Sequence, residues 1–245
     1  MANISALLFD FGGTLDGPSH WLDRFLGRYR AAGIDLTRAE LDPAFDHATR
    51  TGYRATKVLE RFELTDLVRF LVGHQFEYLR KSGPDKVRAT IEQGGAPGRH
   101  RIVEKVTSSF VAETAAGLEH GRDVLNALKA QFKLGVVSNF YGNLDRILAE
   151  FRLDRLFTAV ADSSRIGIFK PDLGIFDAAI KQMRVAPETI AMIGDSPDKD
   201  CAPARQLGLR TVWLCTDAAR AGASAKVGIA DRTIRSIDEL LELQW

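Results

Sequence analysis

The sequence predicts an α/β protein, with a doubly wound parallel sheet and an all-helical domain inserted near its start. Two observations carry this prediction. From about residue 121 onward, short apolar segments alternate with amphipathic helical segments, which is the pattern of βαβ units in a parallel sheet. Between this region and one early apolar segment lies a long stretch of helical periodicity with no convincing strand. We therefore expect residues 1–16 and 121–245 to form the α/β core and residues 17–120 to form the helical insert.

The first element of the core is the apolar segment Ala6–Phe9, which is followed by a carboxylate and two glycines. This pattern predicts a buried strand that ends in a loop. Strands and helices are then expected in alternation. The strands are Lys133–Val137, Ala159–Ala161, Thr189–Ile193 and Arg210–Leu214, and the helices are Arg122–Gln131, Leu144–Phe151, Leu173–Met183, Cys201–Leu207 and Ile237–Leu243. In a sheet of this kind the ligand site lies beyond the carboxyl ends of the strands.

The insert is predicted to be helical throughout. Apolar residues at helical spacing indicate helices at Trp21–Ala32, Ala39–Thr51, Leu64–Lys81 and Arg101–Ala116. Turn-forming residues at Ser82–Pro84 and in 94–98 separate the later ones.

The composition fits a globular protein without a polyanionic partner. The chain has 245 residues, 45% of them hydrophobic, and can bury a substantial core. Its net charge of +1 gives no general attraction to nucleic acid or to an anionic membrane, and neither a membrane span nor a signal peptide is predicted. The two cysteines, Cys201 and Cys215, are too few and too far apart for a zinc knuckle or a redox pair. A soluble, cytoplasmic protein is expected.

Polar motifs stand where the strands should end or just before a helix. They are Asp10, Ser138-Asn139, Lys170-Pro171-Asp172, and Asp195 with Asp200. Because the carboxyl ends of parallel strands lie along one edge of a sheet, we expect these side chains to meet. Together they provide a carboxylate nucleophile, a hydroxyl donor, a lysine and an acidic pair, which is the chemistry of phosphoryl transfer.

In this interpretation Asp10 attacks phosphorus and forms an acyl phosphate, which divides one difficult hydrolysis into two easier steps. Lys170, the Ser138 hydroxyl and the loop amides around Gly12–Thr14 offset the charge of the phosphoryl group. A hard cation binds oxygen ligands, and Asp10 and Asp195 are the natural ligands of Mg²⁺. Asp200 would then orient this site or pair with Lys170.

The motifs resemble those of the haloacid dehalogenase superfamily, subfamily I with a C1 helical cap, and the resemblance covers the whole chain. They stand in the family's order, as Asp10-Phe11-Gly12-Gly13-Thr14-Leu15, Ser138-Asn139, Lys170-Pro171-Asp172, and Gly194-Asp195-Ser196 with Asp200. The resemblance implies a Rossmann-like core, and a cap that closes over the site and sets specificity.

The same resemblance implies a role for each site residue. Asp10 and Lys170 are the catalytic residues. The phosphoryl group is bound by Ser138, Asn139, Lys170 and Gly13, and Mg²⁺ is held by Asp10, the carbonyl of Gly12 and Asp195, with Asp200 supporting the metal ligands. The expected partner is a small phosphorylated molecule, without nucleic acid or membrane, and the oligomeric state is not predicted.

One position departs from the phosphatases of this family. They usually carry a second aspartate two residues after the nucleophile, which protonates the leaving oxygen and then activates water, and here that residue is Gly12. A phosphatase with another proton source, a metal-independent 2-haloacid dehalogenase and a non-catalytic binding protein are all compatible with Gly12. Asp16 is a candidate replacement acid, although a solvated residue or a helix cap is the simpler interpretation.

The acidic pair favours one of these alternatives without removing the other two. A dehalogenase releases halide without a proton and gains little from Asp195 and Asp200 beside Lys170, so a phosphatase is favoured. A substrate with a good leaving group would need the missing acid least. Receiver domains of response regulators combine similar residue types, but their acidic pair comes first and their lysine last within about half this length.

Overall fold

A computed structural model of the chain describes residues 3–216, 228 and 230–245. The chain divides into two compact units, one of Met1–Ser19 with Ala115–Trp245 and one of His20–Thr114. We call the first the core unit and the second the helical unit. The sequence analysis expected the helical insert at residues 17–120, whereas this division falls after residues 19 and 114.

The core unit is built on a six-stranded parallel sheet. Its strands are β1 (Ala6–Phe9), β2 (Lys133–Ser138), β3 (Phe157–Asp162), β4 (Ile190–Gly194), β5 (Arg210–Leu214) and β6 (Arg232–Ile234). Their spatial order is β3-β2-β1-β4-β5-β6. The chain thus fills the sheet outward from β1 on one side and then on the other, which is the order of a doubly wound fold. The predicted fold class is confirmed.

The central strands are apolar along their whole length because both faces of the sheet are covered. Every residue of β1 and of β4 is buried. In a sheet with only one covered face, apolar and polar residues would alternate, whereas continuous apolar segments such as these are typical of parallel strands buried on both faces.

The helical unit contains five helices and the first part of a sixth. They are α1 (Trp21–Ala31), α2 (Arg38–Arg54), α3 (Thr56–Leu59), α4 (Leu64–Ser82), α5 (Asp85–Gln93) and α6 (Gly95–Lys129). A capping box between Thr37 and Glu40 starts α2. The rings of Phe25 and Phe110 stack with centroids 4.1 Å apart in the apolar interior of this unit. No strand occurs among its residues, all of which the structure describes.

Among the described residues, the remaining α-helices belong to the core unit and are α7 (Leu144–Glu150), α8 (Ser163–Ile166), α9 (Leu173–Met183) and α10 (Ala202–Gln206). Phe176 and Met183 of α9 pack in one buried cluster with Leu8 of β1 and Met192 of β4. The Asp172 side chain caps α9 by accepting a hydrogen bond from the amide of Gly174. The cap sets the start of α9 at Leu173, three residues after Lys170.

The structure differs from the sequence prediction in several elements. The helices α3, α5 and α8 were not predicted, and most of the turn expected in 94–98 is the first turn of α6. The helices expected at Arg101–Ala116 and Arg122–Gln131 are parts of the single helix α6, because the glycines between them do not end it. The strand β6 was not predicted, since it has three residues and two of them are exposed. The last predicted helix is a short 3-10 helix, Ile237–Leu241. Among the described residues no helix combines the length and the hydrophobicity needed to cross a membrane.

Gly117 shows why α6 contains glycine in its interior. A β-carbon at this position would lie 2.5 Å from the backbone oxygen of Asp16. The helix backbone therefore passes directly against the loop that follows β1, and a side chain at residue 117 would push the two apart.

We expect Gly117→Ala to lower the free energy of unfolding by about 1–3 kcal/mol, because the methyl group must displace backbone. Gly73→Ala is the matched control, since a β-carbon at Gly73 in α4 meets nothing within 4 Å. This control should be neutral or stabilise the protein by up to ~1 kcal/mol through helix propensity. Thermal or urea unfolding measures both variants, and equal effects would contradict the close approach of α6.

Candidate active site

The candidate site lies at the carboxyl ends of β1, β2 and β4. In the register of the sheet, Phe9 of β1 lies between Val136 of β2 and Ile193 of β4. The amide of Asp10 continues this ladder by donating to the carbonyl of Ile193 over 2.9 Å. Side chains that directly follow these three strands therefore face the same edge of the sheet.

The ammonium group of Lys170 lies at the centre of the site. Its Nζ is 2.7 Å from Oδ1 of Asp10 and 2.7 Å from Oδ1 of Asp200. The Ser138 hydroxyl donates to the same Oδ1 of Asp10 over 2.9 Å. All four side chains are buried. The structure thus brings together four of the residues that the sequence analysis selected, from four separate segments of the chain.

Asn139 is bonded to the main chain of Lys170. Its Oδ1 accepts from the Lys170 amide over 2.7 Å, and its Nδ2 donates to the Lys170 carbonyl over 3.0 Å. This reciprocal pair fixes the backbone from which the lysine side chain extends. The predicted contact between Asn139 and a phosphoryl group stays a prediction.

Asp162, which the sequence analysis did not select, holds the loop after Asn139. The Asp162 carboxylate, at the end of β3, accepts hydrogen bonds from the amides of Gly142, Leu144 and Ser164. Burial raises the pKa of Asp162, while these backbone hydrogen bonds act in the opposite direction. The polar sequence Asp162–Ser164, directly after an apolar segment, was the pattern that could have indicated this role.

The loop after Asp10 is held by Asp16. The amide of Gly13 donates to Oδ1 of Asp16 over 2.7 Å, and Asp16 is fully buried. Gly13 has a φ of 79°, which only glycine adopts without strain. The predicted contact of the Gly13 amide with a phosphoryl group stays a prediction; in this structure the amide is bonded to Asp16. The same bond favours a loop-stabilising role for Asp16 over that of a replacement acid.

Asp200 is held from two sides. One carboxylate oxygen contacts Lys170, and Oδ2 accepts from the amide of Ser196 over 3.0 Å. The carboxylate lies against the backbone of Gly194, where a β-carbon would be 2.3 Å from Oδ2 of Asp200. Residue 194 must therefore be glycine for Asp200 to reach Lys170 in this way.

Asp195 completes an acidic cluster. Carboxylate oxygens of Asp10, Asp195 and Asp200 lie within 4.8 Å of one another. Burial, and next to it the charges of Asp10 and Asp200, raise the pKa of Asp195 well above its ordinary value. Burial also raises the pKa of Asp200 to about 6, against the opposing effect of Lys170. Three carboxylates thus face one ammonium group.

Lys170 stays protonated in this environment. Burial by itself would lower the pKa of Lys170, but the charges of Asp10 and Asp200, with their hydrogen bonds, raise it above its ordinary value. When all three carboxylates are ionised, the cluster carries two negative charges in excess. Clustered carboxylate oxygens with excess negative charge are the donor set that a hard divalent cation such as Mg²⁺ prefers, so the residues fit this ion.

Comparison with known proteins gives the family. A family model described as haloacid dehalogenase-like hydrolase matches residues 4–208. The chain therefore belongs to the haloacid dehalogenase-like hydrolases.

Individual relatives agree with this assignment. The phosphoserine phosphatase of Thermus thermophilus is 34% identical over 144 residues, which are 54% of this chain and 55% of the relative. The haloacid dehalogenase-like hydrolase domain-containing protein 3 of Bos taurus is 30% identical over 187 residues, 74% of this chain and 70% of the relative. The matched part thus spans about half the length of the first relative. The crystal structure of an L-2-haloacid dehalogenase shares the fold, with a TM-score of 0.61 over 98% of both chains at 16% identity.

We expect Asp195→Asn to stabilise the metal-free protein. The raised pKa means that the folded state binds the Asp195 proton more tightly than the unfolded state does, so the contribution of this group to stability is lost as the pH rises above about 4 and through the folded pKa. At neutral pH the free energy of unfolding of the variant should exceed that of the wild type by about 1 kcal/mol or more. Each kcal/mol corresponds to ~2–4 °C in Tm for a chain of this length. The difference should vanish below about pH 4.

Thermal unfolding in EDTA at pH 4 and pH 7.5 measures this difference. Asp198→Asn is the matched control, because Asp198 is exposed three residues further along the same turn. A variant at residue 195 that is less stable than the wild type at pH 7.5 would contradict the expected repulsion.

Proposed function

We propose that this chain is a Mg²⁺-dependent phosphatase that hydrolyses small phosphorylated metabolites through an aspartyl-phosphate at Asp10. One observation carries the proposal: a buried carboxylate, Asp10, is held by a lysine and a hydroxyl beside two further carboxylates. The arrangement offers a nucleophile, fixed hydrogen-bond donors and oxygen ligands for a metal at one place.

In the first step an oxygen of the Asp10 carboxylate attacks phosphorus. The bond between phosphorus and the ester oxygen breaks, and the leaving oxygen keeps the electron pair and takes a proton from the substrate or from water. In the second step water attacks the phosphorus of the aspartyl-phosphate. The bond to Asp10 breaks, inorganic phosphate is released with the oxygen of that water, and Asp10 is again a carboxylate.

Lys170 and Ser138 orient the nucleophile before the reaction. Both donate to Oδ1 of Asp10, which fixes the rotation of the carboxylate. During the transfer these donors also lie close enough to the carboxylate to compensate the negative charge of the incoming phosphoryl group. Asp200 holds the ammonium group in place from the other side, and Asn139 holds the lysine backbone.

Mg²⁺ would be bound by the carboxylates of Asp10 and Asp195 and by the backbone carbonyl of Gly12. When bound, the ion supplies positive charge that offsets the repulsion between the acidic cluster and the phosphoryl oxygens. Asp200 would support this site indirectly, because its oxygens are bonded to Lys170 and Ser196.

The relatives support a phosphoester substrate. The similarity to a phosphoserine phosphatase covers about half of each chain, and a glyceraldehyde 3-phosphate phosphatase of Pyrococcus furiosus is 30% identical over 129 residues. We propose a small phosphorylated metabolite in the cytoplasm as the substrate. The free thiols of Cys201 and Cys215 are both buried, which fits a reducing compartment.

The proposal is tested with a panel of phosphate monoesters, acyl phosphates and 2-haloacids, assayed with and without Mg²⁺. We expect phosphate release that requires Mg²⁺ and that falls by a factor of about 10³ or more in Asp10→Asn, because the nucleophile is lost. Asp198→Asn should retain the wild-type rate. Halide release without metal would instead identify a dehalogenase, and inactivity across the whole panel would favour a binding protein.

A further prediction concerns the leaving group. Gly12 provides no acid, so the rate should fall steeply as the pKa of the leaving alcohol rises. Gly12→Asp should raise the rate on poor leaving groups by about 10² or more, and the backbone at Gly12, with φ −73° and ψ 120°, accepts an aspartate. Gly12→Asn is the matched control without a proton to donate. A rate independent of the leaving group in the wild type would contradict the prediction.

A further inference from the structure

Trp213 connects a neighbouring strand to the acidic cluster. It lies in β5, where it is paired in register with Gly194 of β4. Its indole Nε1 donates a hydrogen bond to the backbone carbonyl of Asp195 over 2.9 Å. The side chain is buried in a small cluster with Cys201 and Cys215. The donor is therefore directed at the residue that follows β4 and carries a carboxylate of the candidate metal site.

Asp195 depends on this support more than the other acidic residues do. Asp10 is held by Ser138 and Lys170, and Asp200 is held by Lys170 and the Ser196 amide. Within the described residues, the hydrogen bond from Trp213 is the one that reaches Asp195. Its carboxylate also faces two others of the same charge, which favour its displacement outward.

We propose that Trp213 is a positioning residue for the metal site: its indole N–H fixes the backbone of Asp195 and so keeps that carboxylate directed toward Asp10. The inference rests on the proposed function, because it takes Asp10 and Asp195 as the ligands of a cation. Trp213 does not touch the reacting atoms in this role, and it acts through the geometry of Asp195 alone.

The indole N–H donor distinguishes this positioning role from a role in packing alone. A phenylalanine would fill most of the space between Cys201 and Cys215 but could not donate to Asp195. If Trp213 served only to fill the interior, removal of the donor would leave the affinity for metal unchanged. If it positions Asp195, the loss should appear in metal binding, as for other residues that orient metal ligands.

The test is calorimetric titration of the full chain with Mg²⁺ alone, in the absence of substrate. The variants are Trp213→Phe and a chain with benzothienylalanine at residue 213, in which sulfur replaces the indole N–H and the ring system keeps its size. We expect both to bind Mg²⁺ about tenfold more weakly than the wild type. Trp245→Phe is the matched control and should bind like the wild type.

A second measurement uses the unmodified sequence and does not depend on the folding of a variant. The chain has three tryptophans, and ¹⁵N labelling gives each indole N–H its own NMR resonance. Mg²⁺ should shift the Trp213 resonance with the same half-saturation as the calorimetric titration, and should leave the Trp245 resonance in place. A Trp213 resonance that does not respond to bound Mg²⁺ would overturn the inference.

The outcomes distinguish this inference from the proposed function. If the wild type binds Mg²⁺ and the benzothienylalanine chain binds it equally well, Trp213 does not position Asp195, while the proposed function stands. If the wild type binds no Mg²⁺, and Asp195→Asn changes nothing in the titration, the metal site itself is wrong and both proposals fail.

Discussion

The ammonium group of Lys170 lies in the interior of the core unit, where an isolated charge would be costly. Two carboxylates at 2.7 Å compensate it, and each of these is fixed by a further hydrogen bond, from Ser138 to Asp10 and from the Ser196 amide to Asp200. Removal of any one partner leaves a buried charge without its complement, which usually costs far more than a surface ion pair contributes. The positions of the other site residues are consequences of this requirement.

The backbone around Lys170 is held as well. Asn139 bonds the Lys170 amide and the Lys170 carbonyl, and the loop that follows Asn139 is held by the Asp162 carboxylate through the amides of Gly142 and Leu144. Glycine at residue 194 leaves room for Asp200 beside β4. Much of the precision of the site thus comes from residues that contact no substrate in the proposed reaction, as is usual where reacting groups must be held within a fraction of an ångström.

The fold class and the polar residues at the strand ends could be predicted from the sequence. The bounds of β1 and β5 agree with the prediction because each is a compact apolar segment next to polar residues. The supporting contacts could not be predicted in the same way. Asp162 accepts hydrogen bonds from backbone amides, and because every residue except proline has one, the sequence does not indicate its partners. The contact between Trp213 and Asp195 depends on which strands are neighbours in the sheet. The helix predicted at Arg101–Ala116 ends just before Gly117, whereas the structure shows that this glycine lies inside α6 and is required by the backbone of Asp16, more than 100 residues away in the chain.

The strand order also bears on how the chain is made on the ribosome. β1 is synthesised first, yet it lies in the middle of the sheet between β2 and β4, which begin at Lys133 and Ile190. The helical unit, residues 20–114, is continuous in sequence, so all of its internal contacts can form while β1 still lacks both neighbours. During that interval the apolar strand β1 has unpaired backbone N–H and C=O groups, which can pair with any other exposed strand edge. A nascent chain of this architecture therefore carries one apolar strand that stays unpaired until β2 and β4 have been made, and chaperone protection would matter most for that strand.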